Sequence, residues 1–305
     1  MTPDEILSIP PKVLSQKQRQ RYFEDGFILL EKFLSDDWIA RLRAVTERMV
    51  EESRQVTNRD EKWDIEPDHT AAQPRLRRLS SPNDHDAVYW DYAAGESSNL
   101  PDAVADLVGP DVKFHHSKLN FKWSKGGAEV KWHQDIPAWP HTNYTPCTAG
   151  TYLYDCGREQ GPLAILKGSH EGPIYSEYDE AGRWVGCLSQ DDAAKIDMSK
   201  VVYLDGPAGS VTIHNCRALH YSEPNHSPIA RPLLLNVYSN ANAMPYTYNP
   251  LTSRYSGAIV RGKPALWAVH DPRPCMLPPD WSKGYGSIFS MQDRVKDGAT
   301  PTGMM

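Results

Sequence analysis

No stretch of this 305-residue sequence approaches the roughly 20 consecutive apolar residues of a membrane span, and the first residues, MTPDEILSIPPKVLSQKQRQ, lack the basic start and apolar run of a secretory leader. A soluble, cytoplasmic protein without a membrane partner is expected. Charge of one sign is also scarce: 33 Lys and Arg face 39 Asp and Glu, a net charge of -6, with no long run of either. Nothing here would draw a polyanion to the whole surface, so nucleic acid is excluded as the expected partner. Cysteine is sparse and unpaired in pattern. Cys147, Cys156, Cys187, Cys216 and Cys275 are odd in number and contain no CxxC, which excludes a disulfide framework and a zinc-thiolate site and leaves reduced, mostly buried thiols. There is no Walker loop, no GxSxG, and no GxGxxG between a strand and a helix. GYGSIF at 284–289 lacks the last glycine. Phosphate-cradle, dinucleotide and serine-hydrolase readings fall away with them.

What is present is a helical beginning followed by a β-rich body. Ser15 and Gln18 fit a capping box before QKQRQRYFED, which Gly26 closes. A strand-like GFILLEKF follows. Ser35 with Asp36 and Asp37 starts a second helix, because a hydroxyl and early carboxylates satisfy its free amides. Trp38, Ile39, Leu42, Val45 and Met49 recur along it at helical spacing and are assigned to the core. Residues 55–100 are polar and predict long loops, with Arg75, Arg77 and Arg78 of RLRRL on a solvated basic face. From 111 onward, DVKFHHSKLNFKW, AGTYLYD, GPLAILKGSH, KVVYLDGPAGSVTIH and RPLLLNVYS are short β-rich runs between Gly, Pro and Asn turns. They predict a sandwich, barrel or jelly roll. The last 35 or so residues are Pro-rich and irregular. Length permits one domain: a helical part over about 1–110, a jelly-roll core over about 111–240 and a C-terminal extension over about 241–305. Nothing in the sequence fixes an oligomeric state.

The chemistry concentrates in KWHQDIPAWPHTN, residues 131–143. Chance placement of 11 His among 39 acidic residues gives about 1.4 His-x-acid pairs, so His133 and Asp135 prove nothing as a pattern alone. On a strand, however, residues i and i+2 share a face and can hold one cation from one side. A histidine from a distant strand would complete a two-histidine, one-carboxylate triad with open positions, the arrangement that suits non-haem Fe(II). The stretch from 209 to 239 offers His214 and His220. It also places Arg231 at the start of an apolar strand, where a buried guanidinium needs a carboxylate partner. 2-Oxoglutarate would be such a partner.

The WHQD core, EQGPLAILKGSH and GSVTIHNCRALHYSEPNHSPIAR, in that order, resemble the phytanoyl-CoA dioxygenase family of Fe(II)- and 2-oxoglutarate-dependent oxygenases over roughly residues 20–240. The resemblance implies a double-stranded β-helix, a cupin-like jelly roll that is mainly β with flanking α-helices. It implies His133, Asp135 and His220 as iron ligands, Arg231 as the 2-oxoglutarate anchor and Ser222 beside the same carboxylate. His214 becomes a supporting residue rather than a ligand. His116, Lys118, Asn120 and Lys122 alternate on the strand before the HxD pair, and the first three match positions of co-substrate contact. The family's HGS is His220-Tyr221-Ser222 here and its PGSH turn is KGSH, departures that leave every ligand in place.

The resemblance implies that O2 and 2-oxoglutarate yield succinate, CO2 and an oxidant that hydroxylates a C–H bond of a small organic substrate. Asp135 favours this outcome over halogenation, since related halogenases carry a small residue there. The same oxidant serves desaturation, epoxidation, ring closure or demethylation. Trp123, Trp132, Trp139, Tyr144 and Tyr154 crowd the motif; Trp139, Trp132 and Tyr221 are the expected substrate wall, with Trp139 first. Two other readings stand beside this one: a 2-oxoglutarate-independent cupin-like metalloenzyme, and a catalytically silent metal-binding jelly roll.

Overall fold

A computed structural model of the chain describes residues 1–124, 127–284 and 287–296. Tyr285 and Gly286 of the GYGSIF stretch, and residues 297–305 of the expected C-terminal extension, lie outside the described residues. In chain order the helices are α1 (Pro3–Ser8), α2 (Gln16–Asp25), α3 (Asp36–Glu52), α4 (Ala87–Ala94), α5 (Leu100–Val108), α6 (Gln190–Ala194) and α7 (Ile288–Lys296). The strands are β1 (Phe27–Leu30), β2 (Trp63–Ile65), β3 (Leu76–Ser80), β4 (Val112–Lys122), β5 (Val130–His133), β6 (Cys147–Tyr152), β7 (Ala164–Leu166), β8 (Val201–Tyr203), β9 (Val211–Asn215), β10 (His220–Ser222), β11 (Arg231–Asn240) and β12 (Ile259–Arg261). None of the described helices is long and apolar enough to cross a membrane.

The strands form two antiparallel sheets. The larger runs β1-β9-β6-β11-β4-β3-β2, with β12 also on β4, and the smaller runs β5-β10-β7-β8. This is the double-stranded β-helix with flanking helices. Helices α3, α4 and α5 cover the outer face of the larger sheet, where Trp38, Leu42, Val45 and Met49 meet Tyr89, Tyr92, Leu107, Phe114, Leu119 and Leu234 in one core. Leu42 has no exposed surface, and burying such a side chain contributes about 1.5–3 kcal/mol. The capping signals act as read. Ser15 and Gln18 cap α2 reciprocally, Gly26 ends it at φ +84°, and the Ser35 hydroxyl accepts from the Trp38 amide.

A bulge in β4 sets which residues face inward. Val237 pairs with His116 but Tyr238 pairs with Phe114, so His115 is an extra residue. The bulge reverses the alternation: Phe114 joins the outer core, while Lys118, Asn120 and Lys122 line a cavity on the inner face.

Three sequence expectations are corrected here. Residues 55–100 are not long loops, because they contain β2, β3 and α4. RLRRL is largely β3, in which Arg77 is an extra residue opposite the Asp64–Ile65 step of β2; this bulge breaks the period-2 signature and sends both Leu76 and Leu79 into the core. Its arginines are not a solvated face: Arg77 reaches Glu66 at 2.9 Å, Arg75 reaches Asp68 at 3.1 Å, and Arg78 is buried with Nε 3.0 Å from Asn120 Oδ1. The segment after 240 is not wholly irregular, since it supplies β12 and α7. All five cysteines are free thiols, four of them buried.

Candidate active site

His133 ends β5 and stands directly opposite His220 of β10, with ring centroids 4.0 Å apart. Asp135 lies just beyond the strand, where the amides of Asp135 and Ile136 both donate to the Cys216 carbonyl at 3.0 Å. One ligand atom from each of His133, Asp135 and His220 falls within 4.8 Å of the other two, and all three residues are buried. Their remaining atoms are already engaged. His133 Nδ1 bonds the Lys131 carbonyl at 2.8 Å and His220 Nδ1 the Ala218 carbonyl at 2.9 Å, which leaves each Nε2 as the ligand. Asp135 Oδ2 accepts from the Thr148 hydroxyl at 2.7 Å and lies 3.3 Å from His214 Nε2, leaving Oδ1.

Electrostatics prepare the same set. Burial would raise the Asp135 carboxyl, but the hydrogen bond from His214 and the charges of His220 and Lys118 hold it well below its ordinary range. Burial pushes His133 down to about 4 and, with His133 and His214 nearby, pushes His220 well below its ordinary value. At neutral pH the site offers one carboxylate and two neutral imidazoles, the deprotonated donors a divalent ion requires.

Beside the triad is a cavity that His133, Asp135 and His220 themselves line. Leu163, Leu233 and Leu235 give it apolar walls. Arg231 enters it while 4% exposed; Nη2 donates to the Gly161 carbonyl at 3.1 Å, and Nε is buried without a hydrogen-bond partner. Gly161 allows this approach, since a side chain there would strike the Glu223 carbonyl. A buried guanidinium edge left open fits a ligand carboxylate, and the triad fits Fe(II). Lys122, cross-strand from Arg231, donates to the Ser222 and Glu223 carbonyls. Burial pushes Lys118 down to about 8.

Lys118, Asn120, Tyr221 and Ser222 line this cavity, as their sequence positions suggested. Three expected residues do not. Trp139 packs with Ile136, Cys216 and Val237, because the turn after Asp135, closed by the Ala138 amide, carries it into a separate cluster. Trp132 lies against Tyr221 outside the cavity lining, its ring 4.2 Å away. His116 is buried against Trp139, with Nδ1 2.6 Å from His115 Nδ1. Sequence reasoning missed α7, which contributes Ile288 and Phe289 to the cavity and is tied to β5 by Gln292 Oε1, which accepts from the Lys131 amide at 2.8 Å. The apolar spacing of Ile288, Phe289 and Met291 inside a Pro-rich tail was the one available signal.

Comparison with known proteins agrees with this geometry. Residues 22–233 match the model of the phytanoyl-CoA dioxygenase (PhyH) family. The chain belongs to the phytanoyl-CoA dioxygenase family. It is 30% identical over 282 residues to a probable alpha-ketoglutarate-dependent hypophosphite dioxygenase of Stutzerimonas stutzeri, covering 90% of this chain and 96% of that protein. An ectoine dioxygenase of Bordetella parapertussis is 28% identical over 271 residues, 78% of each chain. Among solved structures, EctD from S. alaskensis with 2-oxoglutarate and 5-hydroxyectoine superposes with a TM-score of 0.64 at 21% identity, covering 87% of this chain and 91% of that one, a likeness of fold. As a PhyH-family protein the chain is a non-haem iron, 2-oxoglutarate-dependent dioxygenase, with Fe(II) as cofactor and 2-oxoglutarate and O2 as co-substrates.

Proposed function

We propose that this PhyH-family dioxygenase hydroxylates a C–H bond of a small polar substrate, with His133, Asp135 and His220 holding the iron and Arg231 anchoring 2-oxoglutarate. The observation that carries this assignment is the meeting of two imidazoles, one carboxylate and an arginine with an open Nε at one cavity. When bound, the iron couples O2 reduction to decarboxylation of 2-oxoglutarate, giving succinate, CO2 and the oxidising power for C–H cleavage.

The chain's own residues orient and exclude. Arg231 takes the far carboxylate, with Ser222 and Asn120 beside it. Lys122 stiffens that end by clamping the Ser222 and Glu223 carbonyls. Thr148 and His214 fix the Asp135 carboxylate so that one oxygen faces the metal. Phe289, 3% exposed, and Ile288 add apolar wall to the cavity from α7. Asp135 supports hydroxylation over halogen transfer because the carboxylate fills the position a halide would need. The hypophosphite and ectoine relatives support a small polar substrate. The reading treats the chain as one oxygenase domain, since β1 and β12 join the same large sheet, and places it in the cytoplasm, where five free thiols stay reduced.

An anaerobic visible spectrum of the Fe(II) protein tests the assignment. Addition of 2-oxoglutarate should develop the metal-to-ligand charge-transfer band of the chelate. Iron binding with no band would favour a cupin-like metalloenzyme without 2-oxoglutarate, or a silent metal-binding protein.

A further inference from the structure

Lys118 differs from the other cations on the cavity wall. Lys122 gives its ammonium protons to two backbone carbonyls, and Arg231 donates to Gly161 and keeps one edge for the co-substrate. Lys118 lines the same cavity, yet its ammonium makes no hydrogen bond and no ion pair with any described residue. Lys118 is half-buried on the cavity wall with no anion among the described residues to pair with, so the contact open to its ammonium is an anionic ligand in the cavity.

A charge count says what that ligand carries. Asp135 is the one carboxylate among the described residues lining the cavity. Fe(II) brings two positive charges and 2-oxoglutarate two negative ones, so the pair leaves the balance unchanged. Arg231 and Asp135 offset one another, which leaves two positive charges, Lys122 and Lys118. Lys122 gives its ammonium protons to the Ser222 and Glu223 carbonyls, so Lys118 is the cation whose contacts are left to a ligand.

Register separates it from the co-substrate anchor. Arg231 pairs with Lys122 at one end of the β4–β11 ladder, whereas Lys118 pairs with Leu235. Those rows are four residues apart, roughly 13 Å at the rise of a strand. Lys118 lies toward the metal end instead: Leu235 pairs on its other side with Gly150 of β6, two residues from Thr148, whose hydroxyl holds Asp135. The remaining wall there is apolar, Leu235 and Leu163 among it, so one charged contact would fix the orientation of a small ligand.

We propose that the substrate carries an oxyanion group, a carboxylate or a phosphorus oxyanion, and that Lys118 binds it. This rests on the oxygenase reading and moves Lys118 from the co-substrate contacts expected from sequence to substrate recognition. A lysine presents a compact point charge, which suits one oxygen of either group.

The test is anaerobic calorimetry on the full chain loaded with Fe(II) and saturating 2-oxoglutarate. The probes are hypophosphite, methylphosphonate and propionate, with propionamide as the uncharged counterpart. At least one anion should bind 10-fold or more tightly than propionamide, and the tighter arm identifies phosphorus or carboxylate. Lys118→Met should weaken that anion 30-fold or more, and Lys118→Arg should recover most of the loss. In Lys118→Met the 2-oxoglutarate charge-transfer band should persist with an affinity within 3-fold of the parent, which also shows that the variant is folded. The inference is overturned if no anion outbinds propionamide, if Lys118→Met leaves anion binding intact, or if it weakens 2-oxoglutarate as much as Arg231→Ala does. A parent protein that develops no band sinks the oxygenase reading and this inference together; a band without anion preference sinks the inference alone.

Discussion

Two groups of buried histidines lie in this fold, and only one is built to take a cation. His133 and His220 face each other at 4.0 Å; His115 stands 4.8 Å from His116 and 4.9 Å from His141. Both groups fix a ring through a backbone carbonyl, since His141 Nδ1 bonds the Trp139 carbonyl at 2.8 Å much as His133 bonds Lys131. Burial also depresses both groups, taking His141 to about 4 and His115 and His116 well below their ordinary value. The difference is the carboxylate. Asp135 brings a carboxylate oxygen within 4.8 Å of the first pair, whereas the second group meets Trp139, and the Nε2 atoms of His115 and His141 have no hydrogen-bond partner. Neutral imidazoles packed together make a core; a carboxylate held among them makes a metal centre.

The largest effect should come from exchanging the groups. Asp135→Ala or His220→Ala should abolish tight iron binding and turnover, while His115→Phe or His141→Phe should leave bound iron within about twofold of the parent. Iron content after desalting reads this directly, and comparable losses in both groups would remove the distinction. A smaller effect isolates what supports the carboxylate. Thr148→Val deletes the 2.7 Å hydrogen bond to Asp135 and should weaken metal affinity about 10- to 100-fold with the fold intact. An unchanged metal affinity would mean that His214 alone orients the carboxylate.

The smallest effect concerns stability against pH. His141 titrates near 4 in the folded chain and near 6.5 when unfolded, so the unfolded state binds more protons between those values. Stability should therefore fall as pH drops from 6.5 toward 4, and His141→Phe should flatten that limb by about 1–3 kcal/mol. Glu177 supplies the opposite sign. Burial raises it to about 8, so stability should decline as pH rises from 4.5 toward 8, and Glu177→Gln should remove that decline. Urea titrations across pH measure both, and slopes unaltered by either substitution would refute the assignments.

Much of the site was legible because its signals are local or ordered along the chain. The HxD pair, the second histidine, the arginine eleven residues on and the caps of α2 and α3 need no knowledge of tertiary contacts. The choice of His220 over His214 came from family resemblance; its physical basis is that β10 pairs with β5, while β9 sets His214 beside Thr148, where its Nε2 meets the Asp135 oxygen that Thr148 also holds. What was misread turns on register. The bulge at Arg77 in β3 breaks the alternation, so RLRRL looked like a polar loop; His116 keeps the facing of Lys118 but lies farther along β4, where Trp139 covers it. Trp139 was misplaced because a turn after Asp135, which no periodicity announces, redirects the chain.

The opposition of His133 and His220 across the β5–β10 ladder also bears on how the molecule assembles. Those strands span four and three residues and come from distant parts of the chain, so few backbone bonds secure them, and closing so long a loop is slow. A metal bridging the two strands would act as a clasp on this short-stranded seam of the barrel. Amide exchange in β5 and β10 should therefore slow when iron is added to the metal-free chain.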